Sequence, residues 1–367
     1  MKKSGNLNGD FEYVLLDENQ QDVDLREKIL GLYSTNSADI LWLELRDNSL
    51  VNNGYYKLFY YEQSVLKHII LFKYAAEAQK KINVLNDGYR ICNKHIETIS
   101  YILFSEFSKV QQIIFKGIFV NNPDPSPKMI IEKVTEDVII SDLPKSMDIY
   151  IKSLGAKFRK KIKYVTNYIA RDFSGFKIHF YEKNDILFED VQNLFILNRN
   201  RMKAKGIIPG LDDADCEILH QYVTTSGFGV LCACKIDDKI IGGMISSIIG
   251  QHAYGHVISH NNFYNKYSVG LIVAINLIKY LIEEKKNVKY LHLLGGTIDY
   301  KVRLGGIVHD VYTFRIFRNN GIFYFRGKFL KAVKVSYKRF KQKLIRNKMI
   351  NSSHIKLNKI RMRMQSI

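Results

Sequence analysis

The stretch of this sequence best suited to chemistry is a predicted helix start near residue 268. Apolar residues recur at helical spacing from Leu271 to Ile282, and Ser268 precedes them in the position of an N-cap. The first turn of such a helix offers unpaired backbone N–H groups and the positive end of the helix dipole to an anion. We therefore expect residues 268–271 to bind a phosphate group.

Titratable side chains follow the next predicted strand, Val288 to Leu294. A glycine pair ends that strand, and Asp299, Tyr300 and Lys301 come directly after the turn. Titratable side chains placed at the end of a strand can transfer protons in catalysis. Tyr300 is our candidate for a proton donor, although the same side chain could instead pack beneath the turn.

Histidine titrates near neutral pH and could act as the matching base. His256 alternates with Tyr254 and Ile258 along a predicted strand and is our candidate for that base, with a structural role as the alternative. His292 lies between two leucines, which is more typical of a core residue. The candidates for proton transfer are His256, His260, His292, Asp299 and Tyr300.

These residues would be positioned by mixed helices and strands in the second half of the chain. Three closely spaced strands are predicted at Phe228–Ile236, Lys239–Ile249 and Ala253–Ser259, with a tight hairpin at residues 237–238. A basic helix from Met147 to about Arg171, a strand and two further helices, the second of them at Asp213–Thr225, are predicted before them.

The first half of the chain also mixes predicted strands and helices. A proline-containing loop at residues 121–128 is the clearest break, and we place a domain boundary a little later, near Pro144. The predicted organisation is a first domain at residues 1–142, a second at residues 143–326 and a tail at residues 327–367.

The composition of the 367-residue chain is that of a globular protein, with 46% hydrophobic residues. The sequence contains no apolar run long enough to cross a membrane and no secretory signal pattern, so we expect a cytoplasmic protein. Four cysteines lack the spacing of a zinc or redox site, and we expect reduced, mostly buried thiols and no bound metal. They are Cys92, Cys216, Cys232 and Cys234.

The net charge of +19 is unevenly distributed. Residues 327–367 contain thirteen Lys and Arg residues and no Asp or Glu, which leaves a balance of +6 for the rest of the chain. Basic and apolar residues alternate there at helical spacing, a pattern that suits an anionic membrane surface or RNA. Of these two we expect peripheral membrane contact, while a solvated extension without a partner explains the pattern equally well.

Three motifs stand in order along the second half of the chain. They are Leu143-Pro-Lys-Ser-x-x-x-Tyr150 followed by Phe158-Arg159-Lys160, then Tyr264-x-x-x-Ser268-x-Gly270-Leu271, then Gly295-Gly296-x-x-Asp299-Tyr300-Lys301. As a set they resemble the GNAT superfamily of N-acyltransferases, in the branch of Fem-type peptidoglycan aminoacyltransferases and BioF2-like acetyltransferases. The resemblance is strongest over residues 144–318. One motif departs from it, because the Arg/Gln-x-x-Gly-x-Gly/Ala loop that many GNAT members use for the CoA pyrophosphate is replaced by residues 265–270.

The resemblance implies an α/β (α+β) fold of two GNAT-like domains, each a mixed twisted sheet flanked by helices, with the basic helical tail after them. Only the second domain would be catalytic. Two parallel strands, Ala253–Ser259 and Val288–Leu294, would splay apart so that an acyl-CoA donor enters between them. The residues implied are Tyr300, His256 and Asp299 for catalysis, Lys266, Ser268, Val269, Gly270, Leu271 and Lys301 for the donor, and Arg199, Arg201 and Arg303 for the acceptor.

We therefore expect an N-acyltransferase that moves an acyl group, in the first place acetyl, from acyl-CoA to an amine. The expected acceptor is a sugar, an amino acid or a precursor of the cell envelope or of a polysaccharide. Two alternatives remain: a Fem-type aminoacyltransferase that uses aminoacyl-tRNA, and a non-catalytic GNAT scaffold whose tail binds membrane or nucleic acid. No paired-helix insertion resembling the tRNA-contacting arm of some Fem-type proteins is predicted, which favours acyl-CoA. For the arginines and for Lys301, a merely solvated cation is the alternative.

Overall fold

A computed structural model describes residues 3–7, 11–20, 22–74, 80–295 and 299–346. Its strands are β1 (Lys3–Leu7), β2 (Phe11–Leu16), β3 (Tyr56–Glu62), β4 (Val65–Tyr74), β5 (Lys81–Val84), β6 (Gln112–Ile118), β7 (Met129–Ile140), β8 (Phe176–Glu182), β9 (Gly229–Ile236), β10 (Lys239–Ile249), β11 (His252–His260), β12 (Tyr290–His292) and β13 (Ile307–Phe317). Its α-helices are α1 (Leu25–Tyr33), α2 (Ile40–Arg46), α3 (Ser49–Asn53), α4 (Asn93–Glu106), α5 (Met147–Ser153), α6 (Ala156–Asp172), α7 (Phe188–Ala204), α8 (Asp213–Thr225), α9 (Val269–Glu283), α10 (Asp299–Arg303) and α11 (Ile322–Arg346).

The strands form one 13-stranded mixed sheet in the order β1-β2-β3-β4-β5-β6-β13-β7-β12-β11-β10-β9-β8. Its centre is the antiparallel pair of β7 and β13, whose register runs from Ile307 opposite Ile139 to Ile316 opposite Met129. The α/β fold class, a mixed sheet flanked by helices, is confirmed. The division into domains at residues 142 and 326 stays a prediction.

The two halves of the sheet follow the same plan. In the first half, antiparallel strands β2 to β5 lead into α4 and then into β6, which pairs parallel to β5. In the second half, antiparallel strands β8 to β11 lead into α9 and then into β12, which pairs parallel to β11. Each half therefore carries one parallel pair of strands joined through a helix, because parallel neighbours need a crossover connection.

Helix α9 is apolar on nearly every side because other elements cover it on several sides. It contacts β9, β10 and β11 on the sheet and α6 on its other side. Its side chains belong to a large core cluster that also contains residues of α6 and β12. Burial of apolar surface stabilises the folded protein by roughly 25 cal/mol per Å². The start of α9 is therefore held firmly against the sheet.

Several local predictions need correction. The helix predicted from Met147 to about Arg171 is two helices, α5 and α6, because Leu154 is extended and Gly155 caps α6. The strand predicted at Val288–Leu294 shortens to β12. Cys92 is exposed, whereas the other three cysteines are buried as expected.

The predicted tail begins inside α11, and its residues 347–367 lie outside the described residues. In the described part of the chain, no helix combines the length and the apolar character that a membrane span requires.

Candidate functional site

The parallel strands β11 and β12 pair over only a short length. His252, Ala253 and Tyr254 on β11 lie opposite Tyr290, Leu291 and His292 on β12. Beyond that point β11 continues along β10 as far as His260, whereas the N–H of Leu293 donates to the carbonyl oxygen of Val138 on β7 at 2.8 Å. The two strands therefore separate at their carboxyl ends, which confirms the predicted splay.

A buried lysine shapes the turn that follows β12. The ammonium group of Lys301, only 4% exposed, donates to the carbonyl oxygens of Leu293, Leu294 and Gly295 at 2.7, 2.7 and 2.6 Å. Leu294 adopts a left-handed conformation with φ 54°. Burial lowers the pKa of Lys301 to about 8. Lys301 thus points into the protein and holds the turn, so the predicted contact with a donor phosphate is wrong.

A cleft of about 320 Å³ opens beside the separated strands. It is bounded by the carboxyl end of β11, the first turn of α9, helix α10 and side chains from α6 and α7. The lining residues are Phe158, Lys161, Arg201, Ile258, His260, Asn265, Ser268, Gly270, Leu271, Asp299, Tyr300 and Arg303. Residues from all three sequence motifs therefore meet at one place.

The first turn of α9 offers two unpaired N–H groups rather than four. Ser268 is left-handed, with φ 52°, and its side chain makes no capping bond, since a capping residue normally has β-region angles. Its N–H donates to the carbonyl of Asn265, and the N–H of Leu271 donates to the carbonyl of Ser268. The N–H groups of Val269 and Gly270 donate to no acceptor among the described residues. These two remain for a ligand.

Three cations line the cleft: Lys161, Arg201 and Arg303. Arg303 approaches the carboxylate of Asp299 at 3.7 Å, but both side chains are largely exposed. Such an exposed pair contributes little and leaves the guanidinium accessible. The cleft therefore has the charge and the backbone donors to receive a multiply charged anion.

Two other predicted cations lie elsewhere. Arg199, on the same helix as Arg201, donates to Asp213 at 2.5 Å and does not line the cleft. Lys266 is exposed and lies over the ring of Tyr267, 4.8 Å from its centroid. Neither position brings the charge into the cleft.

Tyr300 lines the cleft as predicted. Burial raises the pKa of its phenol, and nearby Arg201 only partly opposes that rise. The hydroxyl therefore stays protonated at neutral pH and is available as a proton donor.

His260 is the cleft histidine, at the carboxyl end of β11. Its Nε2 lies 2.9 Å from Oδ1 of Asn265, an acceptor, so Nε2 carries the proton. Nδ1 is buried and has no hydrogen-bond partner among the described residues, and a Cβ added at Gly270 would lie 3.3 Å from it. Burial, reinforced by Arg201 and Lys205, lowers the pKa of His260. At neutral pH its Nδ1 is therefore a free base.

His256, the base predicted from the sequence, lies on the opposite face of the sheet. A β-bulge between β10 and β11 pairs Ser246 with Gly255 and Ile245 with Val257, which leaves His256 as the extra residue. The bulge reverses the alternation on which its assignment rested. His256 Nε2 contacts Ser247 Oγ at 2.9 Å, and burial lowers its pKa to about 4. The prediction that it borders the cleft is wrong.

His292 is buried in a hydrogen-bonded chain. Its Nδ1 lies 2.7 Å from Oδ2 of Asp137, and its Nε2 lies 2.9 Å from Nδ1 of His252. This arrangement agrees with its interpretation as a core residue. The chain anchors β12 to β7 and β11 at the point where the strands separate.

Comparison with known proteins finds a family model that matches part of the chain and solved structures of similar fold. Residues 156–302 match the family described as an acetyltransferase (GNAT) domain. The fold is similar to that of FemX, with a TM-score of 0.59 and 10% identity over 83% of this chain and 98% of FemX. It is also similar to a conserved protein of unknown function from Bacteroides thetaiotaomicron VPI-5482, with a TM-score of 0.51 and 11% identity over 82% of this chain and 100% of that one. No curated protein matches the sequence.

The matched segment contains α6, β11, the first turn of α9 and Tyr300, so it includes most of the residues that line the cleft. The similarity to FemX extends over both halves of the sheet and shows that they share a common fold with it. Residues 156–302 are thus similar to an acetyltransferase (GNAT) domain, and they lie within a chain whose fold is similar to that of FemX.

Proposed function

We propose that the protein is an N-acyltransferase that moves an acyl group from acyl-CoA to a primary amine in this cleft. The observation that carries the proposal is the opening of β11 from β12 beside a helix start with two unpaired N–H groups. A thioester arm suits the gap between separated strands. The phosphates of the same molecule suit the N–H groups of Val269 and Gly270 and the nearby cations.

The side chains support a balanced transfer of protons. The neutral amine nitrogen forms the new bond to the acyl carbon, and the one proton it loses in doing so passes to neutral His260, whose buried Nδ1 has to turn toward the cleft to receive it. The carbon–sulfur bond breaks, and Tyr300 gives its proton to the departing sulfur. The donor supplies the activated acyl group; the protein contributes orientation, the base and the acid. Asn265 holds the imidazole so that the free lone pair stays on Nδ1.

The acceptor class remains the one expected from the resemblance: an amine on a sugar, an amino acid or an envelope or polysaccharide precursor. Arg201 and Arg303, which border the cleft, suit an acceptor that carries a negative charge. Asp299, which is almost fully exposed at the same rim, suits the ammonium group of an incoming amine.

Transfer from aminoacyl-tRNA is the second candidate, because residues 265–270 lack the glycine-rich pattern of the CoA pyrophosphate loop. Helix lengths favour the first candidate. Among the helices that lie wholly within the described part of residues 143–326, none exceeds the seventeen residues of α6 and α7, so no long paired-helix arm occurs in that described part.

The test is transfer from radiolabelled acetyl-CoA to a panel of amino sugars, amino acids and envelope precursors, with aminoacyl-tRNA as a parallel donor. We expect product with acetyl-CoA, and a higher melting temperature when acetyl-CoA is added. We also expect His260→Gln to remove the acid limb of the pH profile of kcat/KM. Product only with aminoacyl-tRNA would replace this proposal with the second candidate.

A further inference from the structure

Helix α11 leaves an apolar stripe uncovered. Ile322, Phe325 and Phe329 are 79%, 64% and 68% exposed, and their spacing of three and four residues places them on one face of the helix. Single exposed apolar residues are ordinary, but three large ones in a row mark an interaction surface. We call this set the α11 stripe.

The opposite side of the helix is fixed to the protein. Tyr324 is 8% exposed and packs in a small cluster with Ile130 and Phe317. Farther along, Lys331 donates to the carbonyl oxygen of Ile131 at 2.9 Å. The α11 stripe is therefore held in a defined direction, away from the sheet.

Positive charge flanks the stripe. Arg326 and Lys328 are exposed beside it, and no Asp or Glu occurs between Ile322 and Arg346. Arg326 also lies close enough to Lys81 that, after burial, it helps lower the pKa of that lysine. Basic residues thus come from both the helix and the sheet beneath it, and their charge is complementary to an anionic surface.

We propose that α11 docks on an anionic phospholipid bilayer, with Ile322, Phe325 and Phe329 among the upper acyl chains and Arg326 and Lys328 against lipid phosphates. An interfacial helix of this kind lies in the plane of the membrane and does not cross it. The inference is independent of the acyl-transfer chemistry.

The stripe favours a bilayer over RNA. RNA bases stack on aromatic rings, but an aliphatic side chain such as that of Ile322 cannot stack with a base. Insertion into lipid gains free energy from Ile322 and from both phenylalanines alike. The α11 stripe therefore suits the acyl chains of a membrane, and the basic residues beside it suit the lipid phosphates.

The first experiment measures co-sedimentation of the full chain with vesicles. We expect binding to vesicles that contain about 30% phosphatidylglycerol and weak binding to pure phosphatidylcholine vesicles. Phe325→Ser/Phe329→Ser should weaken the partition coefficient by at least about tenfold, because two apolar side chains are lost from the contact. The matched control is Tyr101→Ser/Tyr164→Ser, two aromatic residues 61% exposed on other helices, which should bind like the parent.

A second pair of variants tests the charge. Arg326→Gln/Lys328→Gln should reduce binding to the anionic vesicles, whereas Lys239→Gln/Lys286→Gln, at two exposed sites elsewhere, should not. Raising the ionic strength to about 1 M should weaken parent binding, since charges are then screened within about 3 Å. Thermal unfolding of each variant shows that the fold is retained.

A reporter locates the contact directly. In the Phe325→Trp variant, the fluorescence of the introduced indole should be quenched by brominated lipids, and in the Tyr101→Trp variant it should not. The proposal is overturned if vesicles do not bind or if binding persists unchanged in Phe325→Ser/Phe329→Ser. It is equally overturned if the protein binds labelled single-stranded RNA through Arg326 and Lys328 while brominated vesicles leave the indole of the Phe325→Trp variant unquenched.

Discussion

The two parallel strand pairs of the sheet begin alike and end differently. In the first half, Lys81–Asn83 on β5 lie opposite Gln112–Ile114 on β6. In the second half, β11 and β12 also share three parallel pairs. In both halves a helix connects the two strands. What differs is the path of the chain after the third pair.

In the first half the chain closes the gap. After β5, the N–H of Gly88 donates to Gly117, the N–H of Phe119 donates to Tyr89, and the N–H of Ile91 donates to Phe119. The segment from residue 88 to residue 91 thus takes the place that a ligand would need. Tyr89, 2% exposed, is buried in the core of this half, where its ring centroid lies 4.5 Å from that of Tyr33.

In the second half the chain leaves the gap open. Leu293 turns to β7, Lys301 fixes the turn from inside, and β11 keeps its own hydrogen bonds with β10. The same topology therefore yields a packed core in one half and a cleft in the other. The difference shows that a fold places a site only where the chain does not fill it.

We call the second half, where β11 and β12 separate, the open half, and the first half the closed half. The largest loss of activity should follow from removing the proton donor of the open half, Tyr300. Tyr300→Phe keeps the ring and removes the hydroxyl, so we expect kcat for acyl transfer to fall by roughly 10²–10⁴ with little change in KM. Steady-state kinetics with acetyl-CoA measure this, and Tyr312→Phe on β13 is the matched control. A Tyr300→Phe enzyme with parental kcat would show that the open cleft does not use this acid.

The second effect concerns the turn that keeps the cleft open. Lys301→Met leaves three carbonyl oxygens without their donor, and we expect the free energy of unfolding to fall by about 3 kcal/mol. Urea denaturation measures it. The exposed Lys286→Met should stay within about 0.5 kcal/mol of the parent. Equal stability of the two variants would mean that Lys301 does not hold the turn.

A substitution in the closed half should lower the stability of the protein without changing its catalytic activity. Buried Asn86 accepts a hydrogen bond from the N–H of Leu71 and donates one to the carbonyl of Ile69. These bonds hold the chain to β4 just before residues 88–91, which close the gap. Asn86→Ala should cost about 2 kcal/mol of unfolding free energy and leave kcat and KM at parental values. A loss of activity in the still-folded variant would contradict the assignment of chemistry to the open half alone.

A smaller effect separates two arginines on one helix. Arg201 borders the cleft, whereas Arg199 is paired with Asp213. Arg201→Gln should raise the KM for the acceptor about tenfold, because a charged contact contributes about 1.5 kcal/mol to binding. Arg199→Gln should change the same KM by less than about twofold. Comparable effects of both changes would indicate a general influence of charge rather than contact in the cleft.

Much of the second half could be predicted from its sequence because its signals are local. The helix expected at residues 213–225 is α8 without change, and the hairpin expected at Asp237 and Asp238 has both residues at positive φ. The splay of β11 from β12 followed from a family resemblance, and the strands do diverge. Local patterns of this kind depend only on neighbours along the chain.

The failures have a common physical cause. The assignment of His256 assumed an unbroken period of two, and a single bulge in β11 moved it to the other face. Lys301 was expected to contact the donor or, as the alternative, solvent, but three carbonyl oxygens brought together by the turn bind its ammonium group inside the protein. The place of β13 between β6 and β7 is likewise set by distant parts of the chain, which no local pattern reports.

The measurement that tests the central claim most directly is hydrogen–deuterium exchange with and without acetyl-CoA. The account predicts slower exchange in residues 258–271 and 299–303, which border the open pair, and unchanged exchange in residues 80–91 and 112–119 of the closed pair. Protection confined to the first half, or no protection at saturating acetyl-CoA, would contradict it.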